Sequence, residues 1–301
     1  MAIAVQQSAG ALAWAREFRV HQYVKNLLVL VPIVTARQFN YTAISFGLIG
    51  MLAFSLCASS VYVLNDIIDL EPDRQHPTKK NRPLASGAIK SWQAKLAIPI
   101  LLAAGIACGT AVSLKFTLAL LVYLILTTAY CFSLKKKLLV DVVVLAMLYT
   151  IRVVAGAFAI AVDISAWLLA FSMFIFLSLA LMKRYSELAL RVDQKLPNSS
   201  TRNYKVEDMA IIGCLAVASG FNAITIFALY ISSPAVEHAY PRPEVLWLAC
   251  PVLTYWIGRA MILAHRRMMN DDPVVFAIKD PVSRLAGVLI AAVVLLAMWK
   301  K

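Results

Sequence analysis

The chain has 301 residues, 61% of them hydrophobic, with a mean hydropathy of +0.76 and a formal net charge of +13. A soluble domain sits nearer about 45–50% apolar, and here the excess is gathered into long runs rather than spread as a larger core. That excludes an ordinary soluble domain and, despite the positive charge, argues against nucleic acid as a partner.

A helix needs about 20 mainly apolar residues to cross a bilayer. Nine such stretches are predicted, at 20–36, 43–64, 93–113, 116–134, 140–162, 166–183, 209–231, 245–263 and 285–299. The expected class is an all-α integral membrane protein with a single transmembrane domain over residues 1–301. The stretch before the first span, MAIAVQQSAG, has neither a basic start nor an apolar centre, so no cleavable signal is expected. The first span is short and interrupted by Lys25, a residue that either snorkels to the headgroups or faces a cavity. The third and fourth are joined by a very short turn at Lys115 and should be antiparallel neighbours.

With nine spans, 23 of the 29 Lys and Arg fall on the side of the N-terminus and five on the other, with Arg152 inside a span. The positive-inside tendency makes the rich side cytoplasmic. Thirteen of the 16 acids are on that side or at its edge as well. Topology calls for bases there but not for acids, which points to a site.

The acids are densest after the second span, in NDIIDLEPDRQHPTKKNRP, Asn65 to Pro83. Asp66, Asp69 and Asp73 are spaced three and four apart and share a helix face with Asn65. Tyr62 lies one turn earlier and either lines the same space or serves as a core or interfacial tyrosine. Three like charges side by side repel unless a cation neutralises them. Hard oxygen ligands suit Mg2+, which takes one or two carboxylates together with waters and substrate phosphates. The neighbouring Arg74, Lys79, Lys80 and Arg82 suit phosphate oxygens. Acids for a metal and bases for phosphates describe a diphosphate site at a membrane mouth. Pro72 clashes with the carbonyl of Ile68, so the helix should kink or restart there.

Further along, AYCFSLKKKLLVD carries Lys135, Lys136 and Lys137. Arg152 is the one base well inside a span, where a lipid-facing position is costly. It either pairs with an acid such as Asp141, about three turns back, or binds an anionic substrate. The loop KRYSELALRVDQK holds Lys183, Arg184, Glu187 and Asp193, and Asp271-Asp272 either cap the last loop or help to hold a ribose. The five cysteines are scattered through apolar runs without a CxxC, and the four histidines show no zinc spacing.

The pattern N-D-x-x-D-x-x-x-D ending in R-P-x-x-S-G resembles the first signature of the UbiA superfamily of intramembrane prenyltransferases, along nearly the whole chain. The tail HPTKKNRP and the segment DDPVVFAIKD resemble the decaprenyl-phosphate phosphoribosyltransferase branch. The resemblance implies nine helices around a central cavity open to lipid. It implies Asn65 and Asp69 as direct Mg2+ ligands with Asp66 and Asp73 supporting, and catalytic roles for the three aspartates. It favours Lys25 as a phosphate ligand and Lys135 as a diphosphate contact, leaving Lys136 and Lys137 to topology. The loop at Lys183 takes the place of the second acidic signature. It has lost acids and gained bases, which fits a second phosphate-bearing substrate held by Lys183, Arg184 and Glu187. Tyr62, Arg74, Lys79, Arg82 and Arg152 complete the expected substrate contacts.

The expected reaction moves 5-phosphoribose from phosphoribosyl diphosphate to a polyprenyl phosphate in the plasma membrane. The alternatives are transfer of a prenyl group to an aromatic or lipid acceptor, and a non-enzymatic transporter or scaffold. Lipid-facing and packing faces are not separable from one sequence, so an oligomer is compatible with it.

Overall fold

The computed structural model describes residues 10–75, 79–193, 202–269 and 273–299. His76 and Pro77 of the HPTKKNRP tail and the pair Asp271-Asp272 lie outside them. No strand is present among the described residues. Eight helices are long and apolar enough to cross a membrane. The ninth expected span exists as the shorter apolar segment Val20–Thr35.

The described residues form two compact units, one drawn from within 1–132 and 151–163, the other from within 133–150 and 164–301. In the first, α1 (Ala11–Glu17) precedes α2 (Val20–Thr35), which is 3₁₀-wound from Val20 to Leu30 and α-helical from Val31. Runs of 3₁₀ helix beyond three or four residues are uncommon. The tighter winding rises about 2.0 Å per residue against 1.5 Å, so α2 reaches about 30 Å, the thickness of a hydrocarbon core, with only sixteen residues. Every third residue then shares a face. Tyr23 and Asn26 meet Ser59 and Ser55 of the next helix at 2.8 and 2.9 Å, and Val29 is fully buried.

That next helix, α3 (Tyr41–Ile68), starts where the Asn40 side chain accepts the Ala43 N–H at 2.8 Å. It stops at Ile68 because Pro72 forbids its continuation. The chain restarts as α4 (Leu70–Gln75), with Asp69 at the break. After the loop, α5 (Ser91–Val112) packs along α3, and only Ser113 separates α5 from α6 (Leu114–Phe132), against which it packs. Phe54, Phe116 and Tyr123 form an aromatic core, with the Phe54 ring 5.8 Å and 5.0 Å from the other two. The helix α7 (Val140–Ala159) gives its part beyond Thr150 to this unit. There Gly156 lets the backbone of α2 pass, since a Cβ would stand 2.1 Å from the Val29 carbonyl oxygen.

In the second unit, α8 (Ala166–Asp193) packs against α9 (Met209–Ile231). Ser178 Oγ donates to the Ala216 carbonyl at 2.7 Å, a bond that only small residues permit. The short α10 (Pro234–Ala239) leads to α11 (Ala249–His265), and α12 (Pro273–Lys279) to α13 (Pro281–Met298). Ile231, Val236, Leu246, Ala249, Val293 and Ala297 form the core here. Asp280 caps α13 by accepting from Ser283 N–H at 2.7 Å, and Arg259 grips the same carboxylate with two bonds of 2.7 and 3.0 Å. Leu96, Ile100, Leu118, Ile125, Leu285, Val288 and Leu295 are more than half exposed, a surface that suits lipid tails. All five cysteines are free; Cys57 is buried and Cys214 exposed.

Candidate functional site

The last turns of α3 bring Tyr62, Asn65, Asp66 and Asp69 together as their spacing requires, and α4 adds Asp73. Asp66 and Asp73 are 4% and 2% exposed, far too buried for carboxylates left without partners. Asp66 Oδ1 accepts from Arg19 at 2.7 Å and from Arg82 at 3.0 Å. The same Arg82 nitrogen reaches Asp73 Oδ2 at 2.5 Å, and Lys79 Nζ stands 3.8 Å from Asp73 Oδ1. The expected bases do interleave with the acids. Arg74 is the exception, being about half exposed and paired with Glu71 at 2.8 Å.

Asn65 and Asp69 face each other one turn apart, with the amide donating to Asp69 Oδ2 at 3.1 Å. A half-turn of that amide would present its oxygen instead, beside a half-buried carboxylate. No group of three or more His, Cys, Asp or Glu that could hold a metal occurs among the described residues. Mg2+ needs no such cage, because it keeps waters and takes substrate phosphates as ligands. The oxygen pair at Asn65 and Asp69 therefore fits it.

Three partners were not singled out as site residues in the sequence. Arg19 binds Asp66 and lies over the Tyr62 ring, 4.7 Å from its centroid. Gln22 accepts the Tyr62 hydroxyl at 3.1 Å. Arg19, Gln22 and Lys25 are three apart, the 3₁₀ period, and that spacing of polar residues in an apolar run was the available signal. Glu17 is the third. It is 1% exposed and neither carboxyl oxygen has a side-chain hydrogen-bond partner. Burial first, and the charge of Asp66 second, push its carboxyl up to about 7, against the pull of the Leu84 backbone and of Arg19 and Arg82.

Deeper in the same unit, Lys25 is 9% and Arg152 5% exposed. The pairing of Arg152 with Asp141 is not what the structure holds. Arg152 Nε donates to Asn26 Oδ1 at 2.9 Å and another nitrogen to the Tyr123 hydroxyl at 3.1 Å, and its guanidinium lies 4.7 Å from the Tyr123 ring centroid. The reason is reach: Asp141 is three turns away and already taken.

Its holder is Arg184, in the second unit. The two charges are 2.9 Å apart, an ion pair out of line for a hydrogen bond, at 1% and 0% exposure. Arg184 also pairs with Glu187, as does Arg202, and Tyr204 donates its hydroxyl to Asp141. Burial first and the Asp141 bond second raise the Tyr204 phenol above its ordinary range. Arg184, one of the two bases expected at a second phosphate, is thus bound to acids of its own fold. Lys135 is half-buried whereas Lys136 and Lys137 are exposed, and Lys183 is half-buried.

Residues 27–279 match the model of the UbiA prenyltransferase family. A protein designated y4nM from Sinorhizobium fredii is 37% identical over 287 residues, 95% of this chain and 56% of that protein, so the chain spans just over half the relative's length. The nodulation protein NoeC of Azorhizobium caulinodans is 31% identical over 89% of this chain and 88% of its own. A decaprenyl-phosphate phosphoribosyltransferase of Mycobacterium tuberculosis is 36% identical over 58% of this chain and 60% of its own. Among solved structures, a UbiA homolog from Archaeoglobus fulgidus bound to GPP and Mg2+ superposes with a TM-score of 0.68, covering 94% of this chain and 99% of that one at 17% identity. The aspartate-bearing end of α3, the run of apolar helices and the family match agree: the chain is a multi-pass membrane protein of the UbiA prenyltransferase family.

Proposed function

We propose that the chain transfers 5-phosphoribose from phosphoribosyl diphosphate to a polyprenyl phosphate and releases diphosphate. One observation carries the reading: Arg19, Arg82 and Lys79 stand in contact with the buried acids Asp66 and Asp73. A site so composed takes a polyanion by exchange, with phosphate oxygens replacing carboxylates on the guanidiniums. The partial match to the Mycobacterium tuberculosis enzyme supports the choice of donor. The family supports a transferase working on lipid-borne phosphates.

Asn65 and Asp69 are the proposed Mg2+ ligands, with Asp66 and Asp73 supporting. Bound there, the metal would supply positive charge to the diphosphate group. Arg19, Arg82 and Lys79 hold the departing phosphates, and Lys135 is a further proposed contact. Tyr62 is fixed by Gln22 and Arg19 and shields one side of the site. The anomeric C–O bond breaks through a transition state of oxocarbenium character. The nucleophile is a lipid phosphate oxygen that is already anionic near neutral pH. No general base is required, so these residues act by orientation and charge stabilisation. Lys25 and Arg152, buried at membrane depth, are the proposed holders of the lipid phosphate. The charged loops face the cytoplasm of the plasma membrane, where the sugar diphosphate is dissolved.

The test uses purified protein, labelled phosphoribosyl diphosphate, a polyprenyl phosphate and Mg2+, followed by lipid extraction. Label in the lipid phase that EDTA abolishes supports the reading. Turnover of a prenyl diphosphate on an aromatic acceptor, with no label transferred, replaces it with prenyl transfer.

A further inference from the structure

Glu17 has no place in the chemistry above, yet its position is unusual. Trp14 and Phe18, on either side of it, pack on the cluster of Val63, Leu84, Ile89 and Ala94. The end of α1 is thereby pinned beside the last turns of α3 and the loop that follows Arg82. Glu17 is 1% exposed there, with no side-chain partner for either oxygen and only the Leu84 backbone acting on it as a hydrogen-bonding group. A buried carboxyl with no side-chain partner calls for an explanation. The charged groups that act on it are Asp66 from α3, Arg19 two residues on, and Arg82 from the loop. Those two arginines both sit on Asp66 Oδ1.

A diphosphate held at Asn65 and Asp69 would offer phosphate oxygens to both guanidiniums in place of Asp66 and Asp73. Each then needs another anion on the protein side or swings out to water. We infer that Glu17 is a positioning residue that takes over as the counter-anion of Arg19 and Arg82 once phosphate oxygens replace Asp66 and Asp73, keeping both guanidiniums turned to the phosphates. The inference rests on the reading of the cluster as a diphosphate site.

The experiment measures binding of inorganic diphosphate with Mg2+ to the full chain in detergent by calorimetry, for the wild type, Glu17→Gln and Glu17→Asp. The expected result is affinity about tenfold weaker in Glu17→Gln, the worth of one charge-assisted contact, and partly restored in Glu17→Asp. Affinity within twofold of wild type in Glu17→Gln overturns the role of Glu17 alone. Absence of binding in the wild type overturns the site reading itself. Arginine modification by phenylglyoxal, mapped by peptide mass spectrometry on the wild type, needs no variant. Mg2+ and diphosphate should protect Arg19 and Arg82 together, and faster labelling of either when they bind refutes the inference.

Discussion

Replacing Asp141 by Asn tests whether Arg184 is part of the fold or waits for substrate. The substitution keeps the shape and the acceptor for the Tyr204 hydroxyl and removes only the charge. Arg184 stays 1% exposed, with Glu187 as the remaining carboxylate in contact. Stripping one partner from a buried pair costs about 3–5 kcal/mol, and the retained Glu187 places this case at the lower end, about 3 kcal/mol. For a chain of this size each kcal/mol moves Tm by roughly 2 °C, so Asp141→Asn should melt about 6 °C lower in detergent by intrinsic fluorescence. Arg184→Met should also lose stability. The double variant should regain much of it, because a buried pair exchanged for well-packed apolar groups is often neutral. Single variants that melt within about 1 °C of wild type would refute the reasoning and return Arg184 to the candidate phosphate ligands.

The other expectations concern the first unit and Lys135. Glu17 titrates near 7 when folded against 4.5 unfolded, so the folded state holds the extra proton. Its contribution is full below about 4.5 and is lost as pH rises to 7, a difference of about 3 kcal/mol; thermal melts should show wild type losing stability over that window relative to Glu17→Gln, and parallel curves would contradict it. Asp69→Ala should abolish lipid labelling while chromatographic behaviour and Tm stay within a few degrees of wild type; full activity would remove Asp69 from the metal site. Lys135→Ala should raise the KM for the diphosphate substrate several-fold, and an unchanged KM would leave that lysine to topology. Gly156→Ala should cost about 1–3 kcal/mol, because the Val29 carbonyl oxygen is 2.1 Å from the new Cβ and backbone must move; an unchanged melting temperature would mean α2 and α7 pass less closely than described.

How far the sequence carried depended on the range of the interaction. Eight spans could be read because about twenty apolar residues in a row leave a helix little alternative. The break at Asp69 followed from Pro72, a local steric rule. The acids of α3 were visible as a spacing, and the bases at Lys79 and Arg82 lay close by in the chain. What escaped was distant or atypical. Asn26 and Tyr123 reach Arg152 from 126 and 29 residues away, so the nearest acid on its own helix looked the better partner. Arg184 read as a ligand because its carboxylate Asp141 meets it only after folding. Glu17 carried no mark at all, being a lone acid at the end of a seven-residue helix.

The 3₁₀ winding of Val20–Leu30 has a consequence for how this segment tolerates insertions and deletions. With three residues to a turn, Gln22 and Lys25 stand in one row and Tyr23, Asn26 and Val29 in another. Adding or removing a single residue near Val20 turns everything on one side by a third of a revolution, moving Asn26 away from Ser55 and Arg152 together. A change of three residues slides the rows lengthwise by one turn, about 6 Å, and keeps both facings. Length variation here should therefore come in threes, a periodicity that an α-helix, at 3.6 residues per turn, does not impose.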